Sequence, residues 1–330
     1  MHLSTSMIYQ QSTNAIDNNY SQMAATELQL SSGTRVNVPS DDPIAAAQAV
    51  GVNQTEAMDS QYSAASASAT NSLSLESSVL TQITTVIQSA QTLIVQAGDG
   101  TMSDSDRQSL ATTLQSYQSQ LLSLANTKDS NGNYIFAGYN TDTAPFTAGT
   151  DDAGNATYDY TGGSQAITQQ VDGNTSMAIS DIGSTVFDKL QVGYTPEPAG
   201  TDGTVPASQT NVFSTIADAL AALNTPQDDA DSTTTDAYSA ALATASRGLS
   251  NSLNNVLAVQ SSAGTKLDQL QAIDSISSDR SIMNQTQVTD LTGTDWYSAI
   301  SSYSMEQAAL QASYSTFSAM SKLSLFSMNS

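Results

Sequence analysis

Narrow apolar stripes at helical spacing run along most of this chain. Over residues 43–97, apolar side chains return every three or four positions among Ser, Thr and Gln, which is typical of one face of an α-helix. The same spacing predicts helices over 104–128, 212–223 and 237–283. We expect a mainly α fold in which these helices form a long antiparallel rod.

The two ends of the chain carry apolar residues at heptad-like spacing. Near the N-terminus they lie seven apart, at Tyr9, Ile16, Met23 and Leu30. Near the C-terminus they follow steps of four and three with Gln307 at the one polar position, at Trp296, Ile300, Tyr303, Leu310, Tyr314 and Phe317, and Leu323, Leu325 and Phe326 come after them. Such thin stripes are typical of helices that depend on tertiary contacts. They predict a terminal coiled coil that orders on assembly; ordinary core packing in a monomer is the alternative.

The interval 131–209 has a different composition from the helical segments. Gly, Asp, Thr and Pro rise there, and short aromatic runs such as 134–136 and 158–160 lie between Asn-Gly, Asp-Gly and Gly-Gly pairs. This pattern predicts a small β-rich insertion. We therefore expect three domains, listed here by residue range: 1–40 with 285–330 as terminal helices, 41–130 with 210–284 as the helical rod, and 131–209 as the insertion.

A sharp corner is predicted between the first two helices. Gly33 is suited to end the first helix, and Pro39 forces the residue before it into an extended conformation. Asp41 or Asp42 can cap the second helix, whose first position is Pro43. The segment 30–47 is thus a stiff connector between two helices.

Charge and composition exclude several classes of function. Eight Lys and Arg face 31 Asp and Glu, a formal net charge of -23, so phosphate backbones and anionic bilayers would be repelled and neither nucleic acid nor membrane is expected as a partner. No apolar run approaches the ~20 residues of a membrane span. Cysteine is absent, which removes disulfides and thiolate chemistry. Residues 1–10 lack the features of a cleaved secretory signal, so if the protein leaves the cytoplasm we expect it to do so by another route.

Candidate catalytic or metal-binding groups are scarce. The one histidine, His2, has no second histidine or cysteine with which to share a metal. Adjacent carboxylates at 41–42, 151–152 and 228–229 lie at cap or turn positions, where Asp accepts hydrogen bonds from the backbone. Residues 129–133 imitate a calcium loop, but Tyr134 stands where an EF-hand needs Gly, so we interpret them as a turn. No enzyme activity, cofactor or metal is expected.

Three segments carry a family resemblance. Residues 30–47, LSSGTRVNVPSDDPIAAA, resemble the N-terminal signature of the flagellin family. Residues 131–138, NGNYIFAG, and 308–314, AALQASY, are similar to the proteins of that family that join the hook to the filament. The resemblance implies a structural subunit of the bacterial flagellum.

The resemblance also implies partners and contact residues. A junction protein of this kind is exported unfolded by the flagellar type III system with an export chaperone. It then forms a ring of its own copies between hook-associated protein 1 and the first flagellin layer. In the inner tube the N-terminal stripe would pack against the C-terminal one, and Arg35, Asp41 and Asp42 would lie where the family makes subunit contacts.

Two other functions remain open at this point. A minor filament flagellin would carry the same terminal helices along the whole filament. A glycan-binding or hydrolytic module in the insertion could use aromatic residues and nearby acids, the aromatic candidates being Tyr134, Tyr139, Tyr158 and Tyr160. We favour the simpler interpretation that these rings fill a small β core, because an insertion of this size needs them for burial.

Overall fold

The computed structural model describes residues 5–150, 156–188, 211–228 and 230–327, and within them the side chains of 7–150, 157–188, 211–228 and 230–321. The helices are α1 (Thr5–Ser32), α2 (Pro43–Ala97), α3 (Asp104–Ala125), α4 (Gly183–Phe187), α5 (Val212–Leu223), α6 (Ser232–Thr292) and α7 (Trp296–Ser327). The strands are β1 (Phe146–Thr150), β2 (Ala156–Tyr160), β3 (Thr168–Asp172) and β4 (Thr175–Ala178). The expected class, mainly α with a small β-rich insertion, is confirmed.

The predicted helices are present in the structure, but some of them begin or end at other residues than predicted. α2 and α5 have the predicted bounds, and the break at Thr225 and Pro226 separates α5 from α6. α6 begins at Ser232 rather than 237 and continues to Thr292 rather than 283. Its first turn, 232–236, is wholly polar, and beyond Met283 only Val288 and Leu291 are apolar, so the spacing gives little signal at either end. α3 ends at Ala125, three residues before the predicted end, where the Asn126 N–H bonds back to the Leu122 carbonyl.

The insertion contains less regular structure than its composition suggests. β1 pairs with β2 and β3 with β4, giving two separate antiparallel two-stranded sheets. The run 134–136 is not a strand. Tyr134 forms an isolated bridge with Lys128, and Phe136 turns into the core. Asp129 accepts hydrogen bonds from the Asn131 and Asn133 N–H groups, which confirms the predicted turn.

Two compact units divide the chain. One comprises residues 1–60 with 278–330, and the other residues 61–277, so α2 and α6 each contribute to both. The unit 61–277 has a continuous core built from α2, α3, α5 and α6 together with the insertion. The rings of four buried phenylalanines meet at its centre, at Phe136, Phe146, Phe187 and Phe213.

A close backbone approach fixes the insertion against this aromatic cluster. Gly183 begins α4 beside the rings of Phe146 and Tyr160, and a Cβ at that position would lie 2.7 Å from Phe146 Cε2. The Tyr160 hydroxyl donates to the Phe136 or the Gly163 carbonyl, at 3.1 and 2.8 Å. Glycine is therefore the residue that lets two aromatic rings close over the start of α4.

Candidate functional site

The connector between α1 and α2 is bonded to the connector between α6 and α7. Gly33 ends α1 with a φ of 71°, as its position predicted. Thr34 and Gly293 form an antiparallel bridge, and the Arg35 N–H donates to the Thr292 carbonyl at 2.6 Å. The Thr294 N–H donates to the Gly33 carbonyl. A short two-stranded contact thus closes the corner.

The charged residues of the signature stabilise this corner. Arg35 donates to Asp42 Oδ2 at 3.2 Å and to the Leu291 carbonyl at 3.0 Å. Asp42 is the cap of α2, since its Oδ1 accepts from the Ala45 N–H, whereas Asp41 accepts from the N–H groups of Asn37 and Val38. The Ala45 N–H, followed by Arg35, lowers the pKa of Asp42 below its ordinary value. The three residues have intramolecular roles, and Arg35 and Asp41 remain exposed.

α1 and α7 pack against each other along a seam of half-buried residues. On α1 the seam positions follow steps of three and four, at Tyr9, Ser12, Ile16, Asn19, Met23, Thr26 and Leu30, and the adjacent Ile8 and Gln29 are also half-buried. On α7 the seam positions are Ala299, Tyr303, Glu306, Leu310, Ser313, Phe317 and Met320, and the adjacent Ser302 and Ser321 are also half-buried. The rings of Tyr9 and Phe317 meet edge to face at 5.8 Å, and Asn19 Nδ2 donates to Ser313 Oγ at 2.9 Å. The seam alternates apolar and polar or small layers.

The structure divides the predicted α7 stripe into two sets. Tyr303, Leu310 and Phe317 lie in the seam, together with all four predicted residues of α1. Trp296, Ile300 and Tyr314 are 54%, 55% and 53% exposed and do not belong to it. Leu323 and Phe326 lie outside the part of the chain whose side chains are described.

Sequence reasoning missed the polar half of the seam. Its members on α7 are spaced by seven, at Ala299, Glu306, Ser313 and Met320, and on α1 they are Ser12, Asn19 and Thr26. The signal was a second seven-residue repeat, offset by three or four from the apolar one, whose side chains are polar or small except for Met320. Because the prediction considered only large apolar residues, it placed Trp296, Ile300 and Tyr314 in the packing stripe instead of these residues.

The exposed set gives the α1–α7 pair an apolar outer surface. Large apolar side chains on α7 that are more than half exposed are Trp296, Tyr297, Ile300, Met305 and Tyr314, and Met7, Tyr20 and Leu28 add to them on α1. We call these eight residues the outer apolar set. An apolar surface that is contiguous marks an interaction site, whereas single exposed apolar residues are common on any protein. The outer apolar set is concentrated on two helices that pack against each other, which makes it a candidate contact surface.

The insertion's aromatic residues pack mainly inward. Tyr158 stacks on Phe213 with ring centroids 5.2 Å apart, and Tyr160 lies 5.3 Å from Phe146. Tyr134 is half-buried beneath the Lys128 ammonium. Tyr139 alone of the four is mostly exposed, and its hydroxyl bonds with Thr168. Three of the four candidate sugar-stacking rings are therefore occupied by intramolecular contacts.

The acid pairs and the histidine considered in the sequence form no catalytic or metal-binding group among the described residues. Asp228 pairs with buried Arg107 at 3.3 Å, while His2, Asp151, Asp152 and Asp229 lie outside the described residues. Among the described side chains no group of three His, Cys, Asp or Glu is arranged to hold a metal ion. The described helices also include none with an apolar stretch long enough to cross a membrane.

Comparison with known proteins agrees with this architecture. Residues 3–141 match the bacterial flagellin N-terminal helical region. Over the full length of both chains, the sequence is 48% identical to flagellar hook-associated protein 3 of Escherichia coli strain K12 and 47% identical to that of Salmonella typhimurium strain LT2.

Solved structures share the fold. Flagellar hook-associated protein-3 from Legionella pneumophila superposes with a TM-score of 0.63 at 20% identity, covering 73% of this chain and 98% of that one. A putative flagellar hook-associated protein from Vibrio parahaemolyticus gives 0.62 at 21% identity, covering 77% and 100%. The chain belongs to the flagellar hook-associated protein 3 family within the flagellins, whose members are structural proteins of the flagellum and not enzymes.

Proposed function

We propose that this protein forms a ring of subunits at the junction between hook and filament, and that the ring is held by the α1–α7 pair. The observation that carries the proposal is the outer apolar set, which is more than half exposed among the described residues. In a monomer the eight side chains face water, and burying each on a neighbouring subunit would contribute roughly 25 cal/mol per Å². Assembly therefore supplies the stability that the thin seam lacks.

The seam and the outer apolar set have separate roles in this proposal. The seam residues hold α1 against α7 within one chain, and Asn19 with Ser313 fixes their register. Trp296, Ile300 and Tyr314 contact the next subunit. Leu323 and Phe326 extend that contact towards the C-terminus, and exposed Arg35 and Asp41, with half-buried Asp42, add polar contacts at the corner.

The proposed neighbours are hook-associated protein 1 on one side and flagellin on the other. The chain reaches them by type III export without a cleaved signal, and an export chaperone covers its apolar terminal helices beforehand. In this arrangement segments 1–40 and 285–330 form the inner domain, segments 41–130 and 210–284 the rod, and 131–209 an outer insertion. A position outside the cell is consistent with a cysteine-free, strongly acidic chain.

The absence of cysteine provides a direct test. Thr150 is exposed on β1, so a Thr150→Cys variant should react with a maleimide dye on live cells. We expect one spot per flagellum, where the filament meets the hook. The cysteine-free wild type measures background, and Ala90→Cys, at a fully buried position in α2, measures labelling of unfolded chains.

The distribution of the dye decides between the functions. Continuous labelling along the filament would identify a minor filament flagellin and overturn the junction proposal. Label on the cell body without any flagellar spot would contradict both.

A further inference from the structure

The unit 61–277 contains a buried carboxyl outside the α1–α7 seam and the outer apolar set. Glu76 lies in α2, and the residue is 1% exposed. Both of its carboxyl oxygens are within hydrogen-bond distance of the Asp181 N–H, at 3.2 and 3.3 Å. A glutamate buried this deeply needs a partner for its charge or must remain protonated.

The partner of Glu76 is a second acid that already has a cation. Lys266 Nζ on α6 donates to the two carboxylate oxygens of Asp181 at 3.2 and 3.1 Å, and both side chains are largely buried. Two carboxyls and one ammonium are neutral together only when one proton is retained. The buried group is therefore charge-balanced with a neutral Glu76, and ionising it would leave an uncompensated negative charge.

The electrostatics agree with this count. Burial, followed by repulsion from Asp181, raises the pKa of Glu76 to about 8, while Lys266 and the Asp181 N–H oppose the rise. Asp129 is another acid on the cavity beside Glu76, and its Oδ1 accepts from the Asn131 and Asn133 N–H groups. Among the residues that the structure describes, Lys266 is the one cation that acts on the pKa of Glu76.

The three side chains join the second sheet of the insertion to two helices. Asp181 follows β4 by three residues, and the β3–β4 hairpin places Val171 and Met177 in a small apolar cluster. The other buried members come from α2 and α6, and they are Ala69, Leu73, Ala263 and Leu270. Glu76, Asp181 and Lys266 thus form a polar contact between the same three elements that build this cluster.

We propose that Glu76, Asp181 and Lys266 form a proton-retaining latch, in which the proton kept by Glu76 holds the β3–β4 hairpin against α2 and α6. In the closed hairpin the Glu76 hydroxyl donates to the Asp181 carboxylate. When the hairpin opens, Glu76 meets water and releases its proton to solvent. Acid therefore tightens the attachment and alkali loosens it.

The pH window follows from the two states of Glu76. Its pKa is near 4.5 when the hairpin is open and about 8 when it is closed. Because the closed state binds the proton more tightly, the stabilisation is complete below pH 4.5 and is lost progressively up to about pH 8. The opening equilibrium should rise about tenfold per pH unit within this window and level off above it.

Hydrogen–deuterium exchange of the full chain tests the latch. Protection factors, which divide out the intrinsic pH dependence of amide exchange, would be measured for peptides covering 168–178 between pH 5 and 9. We expect the wild type to lose protection across the window. In Glu76→Gln the protection factors should not change with pH, because the amide cannot ionise. Its oxygen can still accept from the Asp181 N–H and its NH2 group can still donate to the Asp181 carboxylate. Glu56→Gln, which changes an α2 glutamate in the other unit, should retain the wild-type slope.

A second variant separates proton binding from mere packing. Asp181→Asn removes the negative charge that repels ionised Glu76. The loss of protection with rising pH should therefore level off at a lower pH than in the wild type. A purely structural contact would lower protection at every pH without moving that end point. Equal slopes in wild type and Glu76→Gln would overturn the proposal.

The wild type alone supplies a further measurement if the variants fail to fold. Infrared spectra of the folded protein at pH 7.5 should contain the C=O stretch of a protonated carboxyl, which disappears as the pH rises through about 8. Absence of this band at pH 7.5 would equally overturn the latch.

Discussion

The two compact units of this protein differ in how completely they bury their apolar side chains. The unit 61–277 buries its central phenylalanine rings completely, including Phe136, Phe146 and Phe213. In the unit 1–60 with 278–330, the α1–α7 seam is mostly half-buried, and Trp296 and Tyr297 face solvent. One unit completes its core within the chain. The other leaves large apolar side chains of its described helices exposed.

This difference shows that amphipathic pattern alone does not say where burial happens. α2 and α7 both have apolar residues at three- and four-residue steps, but α2 shares a core with several helices in the unit 61–277, whereas the main packing partner of α7 is α1. A helix with one partner can bury only one stripe. The excess apolar residues of α7 are then available for assembly.

The chain carries a convenient probe for comparing the units. Trp296, at the start of α7, is its one tryptophan, so tryptophan fluorescence reports on the terminal unit. Near-ultraviolet circular dichroism of the buried tyrosines and phenylalanines reports mainly on the unit 61–277. Non-coincident urea transitions from the two signals would show that the units unfold separately.

The largest effect is expected at the aromatic centre. Phe213→Ala removes a fully buried ring that contacts Phe146, Phe187 and Tyr158, which should cost about 3–5 kcal/mol of unfolding free energy. Near-ultraviolet circular dichroism in urea would measure it, and the Trp296 transition should move much less. Equal movement of both transitions would mean that the units are not independent.

The next largest effect is expected on α7, where a substitution in the seam can be compared with one in the outer apolar set. Phe317→Ala removes a half-buried ring in contact with Tyr9, so the monomer's Trp296 transition should lose about 1–2 kcal/mol. Tyr314→Ala, three residues away and exposed, should leave that transition in place and weaken self-association in sedimentation velocity at high concentration. The division between seam and outer set fails if Tyr314→Ala destabilises the monomer as much.

A smaller, pH-dependent effect is expected at Asp188, the residue after α4. Burial raises the pKa of its carboxyl to about 6, Asp159 adds to the rise, and the hydrogen bond from Asn211 Nδ2 opposes it. Since the folded state binds the proton more tightly, stability is highest below pH 3.8 and is lost as pH rises through about 6. Asp188→Asn should therefore stabilise the protein by about 1 kcal/mol at pH 8, after allowance for solvent screening.

The measurement for Asp188 is a series of urea midpoints at pH 4, 6 and 8. The gain of Asp188→Asn over wild type should grow between the first and the last. A gain that is constant with pH would mean that the substitution acts through packing and not through ionisation.

The smallest effect is expected at the corner. Asp42→Ala removes both the cap of α2 and the ion pair with Arg35, whereas Asp42→Asn retains an acceptor for the Ala45 N–H. The Trp296 transition should shift towards lower urea in Asp42→Ala, by less than in Phe317→Ala, and hardly at all in Asp42→Asn. Because the cap and Arg35 lower the pKa of Asp42, this contribution is present above pH 3.8 and disappears as acid protonates the carboxyl. If Asp42→Asn shifts as far as Asp42→Ala, the ion pair is the stabilising contact.

Local signals in the sequence were sufficient for the corner. Gly33 has the positive φ that its position predicted, and α2 begins at Pro43 behind an Asp cap. These features depend on residues within one or two turns of each other. The seam could be predicted only in part, since Tyr303, Leu310 and Phe317 turn inward while Trp296, Ile300 and Tyr314 do not. The sequence of α7 contains two seven-residue repeats, one of large apolar residues and one offset from it. The position of α1 decides which residues of these repeats are buried.

The sequence by itself determined the helices, the turn residues that separate them and the absence of cysteine chemistry, because each depends on local conformational preference or on composition. Tertiary structure alone decided which face of α7 is buried, that Glu76 lies beside Asp181 and Lys266, and that Gly183 meets two aromatic rings. These contacts join residues far apart in the chain. Their energies depend on burial and on the charges that surround them, and no local pattern carries that information.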